Sequence, residues 1–561
     1  NAPNTITTTA IKNGGLPRHI ICVSIPGIGI YGDAYSDDVY CQYAHESNAK
    51  IFQQDGFSPL YDEGWNFETI RKENLFLQKV GNCEMDESLR ERFKAEVRAM
   101  RAWTYLGMTM TFGKVPLITE VLDYNSPNIP RDEVSVIRDF IMKELTEAAA
   151  ILPEKYAGGY PNEKGRITKY ACLSLKARAA LYFGDYALAE STAKEVMDKG
   201  GFSLFKISSL SDAQKKEAEE MSLYIDFAEK GIDKDEFVKG MFNYEALWHT
   251  ENANPDNPEY IMTRQYAASS WDYQDMTRYT SMRPNQLGGW SSVTPTQNLV
   301  DAYWGVDGHS VPQLPTPEER AKAYNQIKAD LDAYQKPEGE AKFIAFCQEK
   351  IKNGTLKDYK YIQEFRNRDS RMYVSILMPF KSWYESNYGD KFVYEWIKNG
   401  NNESKTGFNF RKMLSLENDA NGDGQATGDY PCIRYAEILL IYAEAHTQTT
   451  GYDAATEAAL NQLRDRCGMP DVPSGLSKEE GLKLIQNERR IELAGEGFRG
   501  DDMTRYSDDY WKEHMNNVPI MTPDGDTELT MKWSSRMRLK PIPQTAIDLN
   551  PLLAGDQNPG Y

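Results

Sequence analysis

In the stretch DANGDGQATGD, residues 419–429, three oxygen-bearing side chains stand at alternate positions. Asp419, Asn421 and Asp423 take places one, three and five, and Gly424 takes place six, which is the front half of an EF-hand calcium loop. Oxygens at alternate positions wrap one hard cation, and the glycine permits the sharp turn between them. Gln425 offers a backbone carbonyl at the next place. The back half departs from the pattern: place twelve is Tyr430, not Glu, and Asp429 falls one residue early. An Asn/Asp/Gly turn uses the same residues for conformational reasons. Three alternate oxygens plus Asp429 exceed what a turn requires, so a structural calcium held by Asp419, Asn421, Asp423, Gln425 and Asp429 is the expectation. No catalytic cofactor is expected.

A second set of carboxylates lies in LIQNERRIELAGEGFRGDDMTRY. Glu488, Glu492 and Glu496 fall at i, i+4 and i+8 and share one helix face, with Arg489 and Arg490 among them and Arg499 two residues after Gly497. In an enzyme such carboxylates serve as acid and base. In a girder they receive the forked guanidinium groups of arginines. Structural ion-pair networks gather charge in the same way, and the girder is the reading taken.

Aromatic residues beside acids form a third pattern. IYGDAYSDDVYCQY places Asp33, Asp37 and Asp38 among Tyr31, Tyr35, Tyr40 and Tyr43. It reads equally as a solvated turn or as a rim of acceptors for hydroxyl groups. Trp65 stands just before a helix, where it acts as a staple or projects into a groove. Between Tyr266 and Trp304 lie Trp271, Tyr273 and Trp290, with Asp272, Gln274, Asp275, Arg278 and Asn285 close by and Gly288-Gly289 freeing the backbone before Trp290. A sugar ring has an apolar C–H face and a hydroxyl edge. An aromatic ring stacks on the face at little entropic cost, while Asn, Asp, Arg or Tyr bonds the edge. As a group, these aromatics divide evenly between core or rim and ligand contact.

Composition narrows the partners. The chain has 561 residues and a net charge of −19. That excludes the basic footprint of a nucleic-acid binder and a basic membrane-surface patch, and it suits a neutral polar ligand. No run of eighteen apolar residues spans a membrane. HIICVSIPGIGI, interrupted by Pro26, Gly27 and Gly29, reads as buried strand or loop. The seven cysteines (Cys22, Cys41, Cys83, Cys172, Cys347, Cys432 and Cys467) show no CxxC spacing and no disulfide framework; Cys172, Cys432 and Cys467 read as buried thiols.

RYAEILLIYAEA, NERRIELAGEGFRGDDMTRY and the tail LKPIPQTAIDLNPLLAGDQNPGY, in that order, resemble the SusD/RagB family of surface glycan-binding lipoproteins of Bacteroidetes-type bacteria. The likeness in letters runs from Asp429 to the C-terminus; upstream it is one of layout. The resemblance implies a non-catalytic protein that binds a polysaccharide or oligosaccharide at the cell surface. It implies a signal peptide and a lipid-bearing cysteine ahead of Asn1, an outer-membrane location, and a TonB-dependent, SusC-like transporter as partner. By position it carries ligand contact to Trp271, Tyr273 and Trp290, with Trp65 completing the set, beside Arg278 and the Asp37-Asp38 loop. Two rivals remain: a glycoside hydrolase, which needs two carboxylates at a set separation, and a helical-repeat scaffold with a peptide groove.

The elements that hold these residues follow from periodicity. Ile433 to Ala445 is apolar nearly all round, with a thin stripe of Arg434, Glu437 and Glu444, as in a helix inside a large protein. After Gly451-Tyr452 comes AATEAALNQLRDRCG, capped by Gly468. Further helices are expected after Trp65, from Ser88 to Gly113, from Val134 to Leu152, and over Thr168–Phe183 and Tyr186–Lys199, whose alanines, glycine and tyrosine have tetratricopeptide placing. Thr294-Pro295-Thr296 starts a helix reaching Tyr303. The expectation is one mainly α domain over 1–561 with minor β. Tetratricopeptide-like helical pairs at 84–200 and 430–470 form its scaffold, a loop-rich, ligand-binding insertion fills 201–429, and the family signature occupies 471–561.

Overall fold

The computed structural model describes residues 30–123, 125–157, 163–249, 251–266, 282–384, 391–414, 416 and 428–561. Several of its helices begin where the sequence supplies an N-cap. Phe67–Lys79 is α1. Glu87–Phe112 is α2, capped by Asp86, whose carboxylate accepts from the Ser88 and Leu89 amides. Val134–Ile151 is α3, Lys169–Tyr182, capped by Thr168, is α4, and Tyr186–Lys199, capped by Asp185, is α5. Lys234–Ala246 is α6, Tyr435–Thr449 is α7, and Ala454–Cys467, capped by Asp453, is α8. Lys478–Glu492, opened by a Ser477/Glu480 capping box, is α9. Arg499–Arg505 is α10 and Asp508–Met515 is α11.

These helices pack in a row. α2 lies on α3, α3 on α4, α4 on α5, α5 on α7 and α7 on α8. More than two hundred residues separate α5 from α7 in sequence, yet the two are spatial neighbours, so the pairs stack as a tetratricopeptide-like scaffold and the intervening chain loops out and returns. The return is made by a strand. Tyr430–Arg434 pairs antiparallel with Tyr260–Arg264, so Ile433 and Arg434, expected in the helix, finish a strand and α7 starts at Tyr435. On α7 every residue from Tyr435 to Ala445 is buried, and its thin polar stripe is paired inward: Glu437 with Arg178 at 2.6 Å and Glu444 with Arg505 at 2.6 Å.

The segment between α5 and α7 is less of a loop than its composition suggests. It contributes most of a second core, running from Met221 to Leu416, into which the early residues Ala34, Val39 and Cys41 are also packed. α6 crosses the end of α8 at Gly240. A methyl group there would lie 2.1 Å from the Gly468 amide nitrogen, and Gly468 itself adopts φ +67° as the helix cap. No disulfide joins the described cysteines. No helix among the described residues is long and apolar enough to cross a membrane.

The two halves are locked by charge. Glu488 and Glu492 share a face of α9, as their spacing requires, while Glu496, expected on the same helix face, lies in the turn beyond its end and joins them there; their cations come from four other places. Arg371 reaches Glu488 at 2.7 Å and Glu492 at 3.0 Å; Arg464 reaches Glu488 at 2.6 Å. Arg434 reaches Glu492 at 2.8 Å and Glu496 at 2.6 Å; Arg466 pairs with Glu492, and Lys412 with Glu496 at 2.7 Å. Asp369 and Glu259 complete the set against Arg371, Arg434 and Arg466. Five carboxylates (Glu259, Asp369, Glu488, Glu492, Glu496) thus face five cations (Arg371, Lys412, Arg434, Arg464, Arg466), all with side chains at most 2% exposed. Arg489 and Arg490 point elsewhere: Arg489 bonds Asp502 at 2.7 Å, and Arg490 bonds Asp37 and Asp38.

Burial alone would raise the Glu492 carboxyl pKa, but Arg466, Arg434 and Arg371 outweigh it and hold the group well below its ordinary range. Against the same burial, Arg434 and Lys412 lower Glu496. A carboxyl with a depressed folded pKa stabilises above its unfolded value, and that contribution is lost as pH falls through the folded one. The melting temperature is therefore expected to drop progressively below pH about 4. Glu492→Gln, which leaves buried guanidinium groups short of a counter-charge, is expected to cost about 3–5 kcal/mol. Denaturant unfolding of the variant beside the wild type measures it; matching midpoints would refute a cohesive role for the network.

Candidate functional site

Among the expected contact residues that the structure describes, Trp290 is the one that stands exposed, with 39% of the residue accessible. Its presentation is set by backbone geometry. Gly288 sits at φ +81°, and a methyl group on Gly289 would come within 2.0 Å of the Arg283 carbonyl oxygen, so the chain turns tightly there only because both are glycine. Ser291 follows at φ +46°, held by its amide bond to Arg283. Val293–Pro295 then pairs antiparallel with Val39–Cys41, with Cys41 opposite Val293. A strap from the start of the described chain therefore backs the tryptophan.

Gln42, the residue after that strap strand, ties three segments together. Its side-chain amide donates to the carbonyls of Trp290 (3.2 Å), Ser291 (2.7 Å) and Glu403 (3.2 Å). Next to it, the Tyr43 hydroxyl donates to Asn402 Oδ1 at 2.9 Å, and the Tyr43 and His45 rings lie 5.6 Å apart. The His45 side chain is 76% exposed. Asn399 and Asn402 hold positive φ, 58° and 50°, which asparagine tolerates better than most residues. The result is an open ledge of one indole, one phenol, one imidazole and a carboxamide turn. Its carboxylates are engaged: Glu46 accepts from Tyr31 and Ser292, and Glu403 accepts from Tyr394, with burial pushing its pKa up to about 7. The ledge can offer a flat ring and neutral hydrogen-bonding edges.

The other expected positions fall as follows. Trp271, Tyr273 and Arg278, with Asp272, Gln274 and Asp275, lie outside the described residues, as do Asp419, Asn421, Asp423 and Gln425. Asp429 is described and buried. It accepts from Thr263 Oγ1 at 3.2 Å and the Tyr266 amide at 3.1 Å, and burial pushes its pKa up to about 7. Trp65 is partly buried. Its ring meets Phe112 edge-on at 5.0 Å and Phe67 at 5.2 Å, pinning the entry of α1 to the end of α2 as a staple does. None of its ring contacts is shared with Trp290.

Asp37 and Asp38 do not form a rim. Both are buried, and their oxygens face arginines instead of solvent. Arg490 donates to Asp38 at 2.8 Å and to Asp37 at 2.7 Å, and Arg499 donates to Asp37 at 3.0 Å. Burial opposes ionisation of Asp37, yet Arg490 and Arg499 hold its pKa far below the usual carboxylate range. A carboxylate already bridging two guanidinium groups has little left for a hydroxyl. Sequence reasoning placed Tyr43 only within the acidic stretch and passed over Gln42, His45 and Asn402. The Asn-rich turn KNGNN was the available signal.

The sequence model of the SusD family matches residues 258–561. SusD-like protein P38 of Formosa agariphila is 22% identical over 475 residues, spanning 82% of this chain and 73% of that protein. Among solved structures, a SusD-like protein of Bacteroides fragilis superposes with a TM-score of 0.71 at 24% identity, covering 96% of this chain and 94% of that one. A SusD-like carbohydrate-binding protein of the same species gives 0.67 at 19% identity, over 98% and 99%. A laminarin-binding SusD-like protein gives 0.60 at 20%, over 99% of each chain. At these identities the likeness to the structures is one of fold.

Asp37→Ala, which removes one of the two carboxylates that Arg490 and Arg499 share, is expected to lower stability by about 3 kcal/mol and to leave the Trp290 ledge intact. Thermal melts and the tryptophan fluorescence maximum check both halves. An unchanged melt would return Asp37 to the list of ligand contacts.

Proposed function

The chain belongs to the SusD family, and from that premise we propose that it binds a polysaccharide or oligosaccharide at the bacterial surface without cleaving it. The single observation that carries the reading is the exposed Trp290, presented by a Gly-Gly turn and flanked by Tyr43, His45 and Asn402. A pyranose lays its C–H face on the indole and its hydroxyl edge against the carboxamides and the phenol. Trp271, Tyr273 and Arg278, next to this ledge in sequence, extend it in the proposal, and relatives of the same fold described as carbohydrate-binding and laminarin-binding support it. The wider role is capture and handover: a lipid anchor ahead of Asn1 holds the protein on the outer membrane, and a SusC-like, TonB-dependent transporter receives the glycan.

Hydrolysis would need two carboxylates astride the sugar. Among the described residues, the two carboxylates bordering the ledge are already committed, Glu46 to Tyr31 and Ser292 and Glu403 to Tyr394, which supports binding over cleavage. Trp290→Ala is expected to abolish detectable polysaccharide binding, because losing a central aromatic anchor costs about 2 kcal/mol or more, while the melting temperature stays put. Tyr43→Phe, which removes only the hydroxyl, is expected to weaken binding modestly. Affinity electrophoresis against a polysaccharide panel, then calorimetry, reads both. Full affinity in Trp290→Ala would move the site elsewhere, and binding lost in a well-folded Trp65→Ala variant would extend it to that residue. A reducing-sugar assay after long incubation addresses the hydrolase rival.

A structural calcium at Asp419, Asn421, Asp423, Gln425 and Asp429 is the second part of the proposal. Asp429, buried and with a raised pKa, is a carboxyl that a bound cation would ionise. Chelation is expected to lower the melting temperature and added calcium to restore it. A melt indifferent to chelator, with no metal found by elemental analysis, would remove calcium from the account.

A further inference from the structure

None of the ledge side chains lines the chamber that lies at the other end of the strap. This half-open cavity has a volume of about 230 Å3 and is lined by Tyr31–Tyr35, the entry of α1, the end of α2, the start of α10 and the tail at Met537–Lys540. Much of its wall is apolar: Tyr35, Phe52, Trp511, Met110 and Met537. Gly500 allows the strap to close over it, since a methyl group there would sit 2.6 Å from the Gly32 carbonyl oxygen.

The polar groups of the wall are mostly engaged. Lys540 donates to Glu63 at 3.2 Å, with its ammonium 3.8 Å from the Tyr35 ring centre. Glu63 also accepts from Tyr35 and Asn48. Thr111 Oγ1 donates to the Gly107 carbonyl, and Arg538 is held by Asp508 and the Thr504 carbonyl. Asp501 is the exception. Its backbone carbonyl accepts from Thr504, but among the described residues no donor reaches its carboxyl. Lys540 is paired with Glu63 and Arg538 with Asp508, so Asp501 is the charged side chain of the wall whose own group has no hydrogen-bond partner among the described residues.

From this geometry we infer that the chamber binds a small organic ammonium, its N–H group on Asp501 and its compact apolar body against Tyr35, Phe52 and Trp511. Three alternatives fit less well. A sugar would bring a ring of hydroxyls into a wall with one open acceptor, and buried hydroxyls without partners are costly. A hard metal ion needs several oxygen ligands, where thioethers and aromatic rings dominate. An anion would bring a second negative group beside the Asp501 carboxyl, whose own ionisation burial already disfavours. Size agrees: a cavity of about 150 Å3 accepts benzene, so this one holds a ring with an aminomethyl arm, and aromatic faces favour a cation. Burial, with a contribution from Asp502, pushes the Asp501 pKa up to about 8, while Lys540 and Arg178 oppose it and Asp33 adds to it. A bound ammonium supplies the counter-charge that this carboxyl lacks.

Benzylamine and its neutral isostere benzyl alcohol are the probes, titrated to about 10 mM by calorimetry and thermal shift, enough to saturate a site with Kd near about 1 mM. Benzylamine is expected to bind saturably and to raise the melting temperature, and benzyl alcohol to bind at least about tenfold more weakly. Asp501→Asn keeps the shape of the wall, is expected to fold, and should lose about tenfold or more of the benzylamine affinity. A crystal soaked with benzylamine should show the amine beside Asp501, which tests the site even if the variant folds poorly. Absent saturation, equal binding of the alcohol, undiminished binding in Asp501→Asn, or ligand density elsewhere would each overturn the inference.

Discussion

Ten charges sit in the middle of this protein with almost no water around them, and the positions of every other part depend on their being matched. Removing a carboxylate or a guanidinium from water costs several kcal/mol, and the loss is recovered only where partners meet in good geometry. Here the partners come from β-strand, scaffold helix and insertion alike: Arg434 before α7, Arg464 and Arg466 at the end of α8, Glu488 and Glu492 on α9, and Glu259, Asp369, Arg371 and Lys412 from the chain between α5 and α7. A shift of any one segment by an ångström would leave a charge unpaired in low dielectric. The network thus acts as a gauge that fixes where the insertion docks on the scaffold.

The Trp290 ledge inherits its placement from that gauge through a second, smaller one. Arg490 leaves α9 on the side away from the glutamates and closes on Asp37 and Asp38. The Asp37 and Asp38 carbonyls in turn receive the Thr296 hydroxyl and amide. The strap strand beside them aligns Val293–Pro295, and Gln42 gathers Trp290 and the 399–403 turn. An open ledge built on short turns is thus positioned by buried charges.

How far this was legible from the amino acids depends on whether a feature is local. The Glu488/Glu492 part of the ladder is a matter of helix period, and so are the pairs around α4, α5, α7 and α8 and the Gly468 cap, whereas Glu496 joins from a turn past the helix end. The partners of the ladder were not legible, since Arg371 and Arg466 are brought to it by tertiary structure alone, and proximity in sequence wrongly favoured Arg489 and Arg490. Asp37 and Asp38 misled for the same reason: acids among tyrosines have one composition whether they face water or a buried arginine. Trp290 was legible because two glycines beside an aromatic announce a presented ring, whereas Trp65 looked equally suited to stapling and to binding until Phe112 was seen against it. Gln42, His45 and Asn402 carried no pattern beyond an Asn-rich turn.

The strap and the tail have a kinetic consequence. Asp33 accepts the amides of Gly497 and Arg499, Asp37 and Asp38 await Arg490, and Asn558 hydrogen-bonds the carbonyl of Phe112. These contacts close loops of more than four hundred residues. Such a chain has high contact order, and the entropy of closing its longest loops precedes any reward from the contacts. The carboxylates of Asp33, Asp37 and Asp38 gain these partners only once residues 490–499 have been made, so this part of the fold closes late in folding.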